Sequence, residues 1–95
     1  MRENNDGIYA DLPELFTASE WDAVGEVLGL SQRHQQVARL LCLGWPIDRM
    51  AESLDLNPDA TRRHIQSLFR HLRVRDAVGV PVRLMVALRE LEQTA

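Results

Sequence analysis

Asn57-Pro58 stands three residues after Leu54, and this spacing constrains the fold more than any other feature of the chain. Asn is a strong N-cap, and Pro is tolerated in the first helical turn because its missing N–H is not needed there. A helix must therefore begin at 58. Ile65, Leu68, Phe69 and Leu72 recur at helical spacing and carry it to Leu72 or Arg73. Upstream, Met50, Ala51 and Leu54 define an inward face for a short helix over Ile47 to Leu54. Only Asp55-Leu56-Asn57 remains to join the two, with Leu56 expected to plug the core. Two short helices across a three-residue turn are the layout of a helix-turn-helix.

The rest of the chain reads as further short helices. Thr17-Ala18-Ser19-Glu20 has the form of a capping box. Trp21, Val24 and Leu28 then predict a helix over 18–28, stopped at Gly29. Ser31 is placed to cap a second helix with Val37, Leu40 and Leu41 as its buried stripe and Gly44 as its stop. A last helix is predicted over about 80–92, capped by Asp76 or Gly79, with Pro81 near its start. No stretch alternates at period two, so no strand is expected. The fold class is all-α: a small helical bundle made of a tetra-helical helix-turn-helix over 30–92, an extra N-terminal helix over 17–29, and an acidic, flexible arm over 1–16. Leu12, Leu15 and Phe16 are expected to tack the end of that arm to the body.

Charge is unevenly placed. The chain's net charge is −3. Residues 1–28 hold one Arg and seven acids, a balance of −6, whereas residues 29–95 hold ten Arg and seven acids, a balance of +3. No Lys is present, and five Arg lie between Arg62 and Arg75. Where charge sits matters more for nucleic-acid binding than its total. At about 100° per residue, Arg63, Gln66 and Arg70 share one face turned away from the apolar stripe, with Arg62 on its shoulder and Asp59 at its start. A helix fits the major groove of B-form DNA, where Arg pairs with guanine and Gln with adenine. Arg70, Arg73 and Arg75 come later in the chain and suit phosphates.

These segments resemble the LuxR/GerE-type helix-turn-helix. The residues that carry the resemblance are Leu30-Ser31-Gln32-Arg33, Val37, Leu40-Leu41, Gly44, Met50-Ala51, Leu54, Leu56, Arg62, His64-Ile65 and Leu72-Arg73-Val74. The match runs without gaps from 30 to about 90, roughly two thirds of the chain. The chain departs from the family pattern where His34 replaces a Glu, Pro46 a Ser or Thr, and Asn57 a Ser. Ala60-Thr61 likewise stands for Thr-Val, Arg73 for a Gly that would end the helix without strain, and Ala77 for an Arg. The resemblance implies a transcription regulator that binds double-stranded DNA, with base contacts from Arg62, Arg63 and Gln66 and backbone contacts from Thr61, Arg70, Arg73 and Arg75. It also implies a homodimer through the last helix. Only 29 residues precede Leu30, too few for a receiver or ligand-sensing domain, so a stand-alone module is expected.

The last helix points to dimerisation on its own residues. Val82, Met85 and Val86 fall on one side and Leu84, Ala87, Leu88 and Leu91 on the other, so one side can cover the core and the other needs a partner. Val82, Met85, Val86 and Arg89 are the expected interface; coverage by the extra N-terminal helix is the alternative.

The remaining residues support no chemistry. Cys42 is the lone cysteine, which leaves no disulfide and no Cys-based zinc site and fits a cytoplasmic setting. His64 and His71 are about 10 Å apart along a helix, too far for one ion. No metal, cofactor or catalytic constellation is expected, so the chain is not read as an enzyme, and no apolar run is long enough to span a membrane. A second reading keeps the fold but assigns it to protein interaction, as an adaptor that binds RNA polymerase or another regulator, or as a module like the promoter-binding region of a sigma factor.

Overall fold

A computed structural model describes residues 12–94. It holds five helices, α1 (Ala18–Val27), α2 (Gln32–Cys42), α3 (Ile47–Leu54), α4 (Pro58–Leu72) and α5 (Gly79–Thr94), with no strand among the described residues. The protein is an all-α bundle. The expected boundaries hold within a residue or two; the largest difference is at α5, which runs one residue earlier and two later than its apolar pattern required.

Local chemistry explains most of the ends. Thr17 Oγ1 accepts from the Glu20 N–H at 3.2 Å, and Glu20 Oε1 accepts from the Thr17 N–H at 2.9 Å, completing the capping box. Ser31 Oγ accepts from the His34 N–H at 3.0 Å, and Asn57 Oδ1 from the Ala60 N–H at 2.7 Å. Gly29 and Gly44 close α1 and α2 at φ 66° and 80°. Asp55 and Arg73 adopt the same left-handed conformation, at φ 58° and 59°, to end α3 and α4. For residues bearing a Cβ this conformation is strained by about 1–2 kcal/mol. The strain is offset by the bonds it allows: Leu56 N–H to the Ala51 carbonyl at 2.9 Å and Val74 N–H to the Phe69 carbonyl at 3.0 Å. Asp76 Oδ1 accepts from the Gly79 N–H at 3.2 Å in the turn that leads into α5, and Gly79 is the helix's first residue.

α4 packs against α2 and α3, and α5 closes against α1, α2 and α4. One core joins them, with Val24, Val37, Met50, Leu68, Val80 and Leu84 wholly buried. Trp21 of α1 is buried in this core, its ring edge-on to Phe16 with centroids 4.9 Å apart. Leu56 departs from expectation. The left-handed turn at Asp55 leaves it half-exposed beside Pro46, Ala51 and Pro58, outside the core.

The end of the N-terminal arm is tacked to the body, as its apolar residues led us to expect. Residues 1–11 lie outside the described part, but 12–16 are docked. The Leu12 N–H donates to the Leu43 carbonyl at 3.2 Å, Glu14 Oε2 accepts from Arg39 Nη2 at 2.6 Å and Nε at 2.9 Å, and Phe16 is buried. Leu15 packs on the core as expected, while Leu12 stays largely exposed. Cys42 is half-buried, and burial, with Glu14 nearby, pushes its thiol up to about 11, so it stays protonated at neutral pH. No helix among the described residues is long and apolar enough to cross a membrane.

Candidate nucleic-acid interface

The helical period of α4 sorts its residues onto two sides. Ile65, Leu68 and Leu72 are buried, whereas Arg62, Arg63, Gln66, Arg70 and Arg73 are exposed, with Arg75 just beyond the helix. Arg63, Arg70, Arg73 and Arg75 have no ion-pair partner among the described residues. Their charge therefore faces solvent. The left-handed turn at Arg73 bends the chain directly after α4 and keeps Arg73 and Arg75 close to its C-terminal end.

Two of the candidate residues are not simply exposed. Thr61 is fully buried, and its Oγ1 donates to the Asn57 carbonyl at 3.0 Å. It offers no surface to a phosphate. The expected backbone contact by Thr61 is therefore replaced by a structural role, tying the first turn of α4 to its own cap. The cause lies in the phase of the helix: Thr61 falls one turn before Ile65 and faces the core with it. Arg62 is held by its neighbour, with Nη1 donating to Asp59 Oδ1 at 3.0 Å. Their one-turn separation made the pair geometrically accessible, but only the structure shows it formed.

The supporting contacts include one that the sequence did not suggest. His34, at the position where the resembled family has Glu, reaches from α2 to α4 and shares a hydrogen bond of 2.9 Å between Nε2 and Ser67 Oγ. His71, also on α4, lies with its ring 5.1 Å from that of His34 and donates from Nε2 to the Leu28 carbonyl at 2.7 Å. The end of α1 is thus pinned to the exposed helix. Gln35 Nε2 donates to the Trp21 carbonyl at 2.9 Å, a second tie between α1 and α2. His64 is half-buried.

Burial first, and then the neighbouring His71 and His64 charges, hold the His34 pKa below the ordinary histidine value. Its Nδ1 is buried without a partner. A lowered folded-state pKa means the fold favours the neutral ring. That contribution is present above the unfolded value and is lost as pH falls from there through the folded value. The thermal midpoint should therefore drop between about pH 7 and pH 5, and His34→Gln should flatten that part of the profile. Thermal unfolding of both proteins across this range checks it; equal slopes would reject the assignment to His34.

The last helix buries one of its two apolar sides and leaves the other exposed. Leu84 and Ala87 are buried and Leu88 and Leu91 pack on the core. Val82 (58% exposed), Met85 and Val86 face solvent, with Arg89 exposed beyond them. α1 packs against α5 yet leaves this stripe open, so the alternative in which the extra helix covers it does not hold within one chain.

No family model, curated protein or solved structure matches this chain.

Proposed function

We propose that this protein is a DNA-binding transcription regulator that presents α4 to the major groove and pairs with a second copy through α5. The observation that supports this reading most directly is the combination on α4. Among the described residues Arg63, Arg70 and Arg73 have no ion-pair partner and lie on the exposed side, and the opposite side is buried against α2 and α3. A rigid helix with cations facing outward matches what groove binding needs, because phosphate contacts give affinity and base contacts give sequence preference. Arg62, Arg63 and Gln66 are assigned to bases, and Arg70, Arg73 and Arg75 to phosphates. The exposed Val82, Met85 and Val86 stripe offers an apolar surface for a two-fold dimer to bury. The extra helix α1, pinned by His71 to the Leu28 carbonyl, braces the end of α4 from behind.

Fluorescence anisotropy of labelled mixed-sequence duplex DNA, titrated with the protein at low and moderate salt, tests the proposal. Wild type is expected to bind and to weaken steeply with salt, because each neutralised phosphate releases counterions. Arg62→Ala/Arg63→Ala, at exposed positions that leave the core untouched, should reduce binding by at least about 10-fold. Sedimentation of the same preparation should give a two-chain particle. Absence of binding by folded wild type at low salt would retire the DNA reading in favour of a protein-interaction adaptor. A single-chain particle would retire the dimer.

A further inference from the structure

The ion pair between Asp59 and Arg62 lies at the start of the face assigned to DNA; as an acid in the first turn of α4, Asp59 suits the helix dipole, but it also fronts a surface meant for a polyanion. A polyanion repels it, and an exposed pair one helical turn apart adds little stability. Both side chains are open to solvent, Asp59 by 84% and Arg62 by 57%, so neither is held by the core. Among the described residues, one oxygen of Asp59 and one N–H of Arg62 are engaged, across 3.0 Å. Four guanidinium N–H groups and the second carboxylate oxygen remain available.

We infer that Asp59 is a specificity-determining residue, accepting a hydrogen bond from the N4 amino group of a cytosine beside the guanine read by Arg62. The inference rests on the DNA-binding reading and deepens it. The pair performs two tasks at once. Asp59 restricts Arg62, a side chain with many rotamers, so less freedom is lost when its remaining donors meet guanine O6 and N7. The second Asp59 oxygen then selects the neighbouring base. In the major groove cytosine presents a donor alone. Adenine sets an acceptor beside its donor, and guanine and thymine present acceptors that repel a carboxylate. The two residues are three positions apart, a rise of about 4.5 Å along the helix, comparable with the roughly 3.4 Å between base pairs, so they reach adjacent steps.

The test is selection of a randomised duplex pool by the full chain, followed by competition among duplexes varied at single positions. Wild type, Asp59→Asn and Asp59→Ala are compared, with circular dichroism confirming equal helicity. Wild type is expected to favour cytosine at one position next to a guanine by about 5- to 100-fold. Asp59→Ala should lose that preference and weaken the guanine preference beside it, leaving other positions unchanged. Asp59→Asn should exchange cytosine for adenine, which an amide pairs with bidentately. If Asp59→Ala binds every duplex more tightly by a common factor with preferences intact, Asp59 only repels phosphate and the inference is overturned while the DNA reading stands. If wild type binds no duplex at low salt, both fall together.

Discussion

Trp21→Ala is expected to destabilise the protein by about 3–5 kcal/mol, lowering the thermal midpoint by at least about 12 °C. Trp21 is the main anchor of α1, buried in the core shared with Val24 and packed edge-on against Phe16. Removing it leaves a cavity where α1 meets the rest of the bundle. A chain of this size is stable by only about 5–14 kcal/mol, so the loss is a large share of the total. The value should fall toward the lower end, because the buried indole Nε1 of Trp21 has no hydrogen-bond partner among the described residues and its removal relieves that cost. Trp21→Phe is the matching control. It keeps a ring against Phe16 and deletes the unpartnered N–H, so it should be much milder than Trp21→Ala. Thermal unfolding by circular dichroism decides it: a loss under about 1 kcal/mol for Trp21→Ala would mean that α1 is an appendage and not part of the core.

Leu68→Ala should cost a similar amount, about 2–5 kcal/mol, for a different reason. Leu68 is wholly buried on α4, the helix that packs against α2 and α3, and it belongs to the same cluster as Val37, Met50 and Ile65. Alanine is an excellent helix former, so the change leaves α4's own propensity intact and isolates the lost packing. Arg70→Ala, on the exposed side two residues along, should stay within about 0.5 kcal/mol in a urea titration. The contrast separates what α4 does for the fold from what it does at its surface. A Leu68→Ala protein with an unchanged unfolding midpoint would contradict the burial described here. If Arg70→Ala instead proved as damaging as Leu68→Ala, the side assigned to solvent would be wrong.

Much of this architecture was legible in advance because the signals that set it are local. Thr17, Ser31 and Asn57 each accept from a backbone N–H three residues on, so a cap can be read from its own neighbourhood. The apolar period of α4 likewise fixed which side would be buried. Where local reading failed, a third partner or a phase decided. Thr61 looked like a phosphate ligand by its position in a motif, yet one turn before Ile65 it turns inward and bonds to the Asn57 carbonyl. Leu56 looked like a core plug, yet the left-handed Asp55 swings it half out to solvent. His34 looked like no more than a departure from the Glu of the resembled pattern. Its bond to Ser67 depends on α2 and α4 crossing, and their sequence separation of 33 conceals that contact.

The sequence by itself determined that five short helices form, that Thr17, Ser31 and Asn57 cap three of them, and where their apolar faces lie. Capping and periodicity act over three or four residues, and the chain carries that information wherever it is placed. Tertiary structure alone decided which of two apolar faces of α5 is consumed. Leu84 and Ala87 are buried while Val82 and Val86 stay exposed, because α1, α2 and α4 all close on the same side. It also decided that α1 is fastened to α4 through His71 and the Leu28 carbonyl, 43 residues apart in the chain. Burial and long-range hydrogen bonding depend on how elements meet, and no periodicity within one helix encodes that meeting.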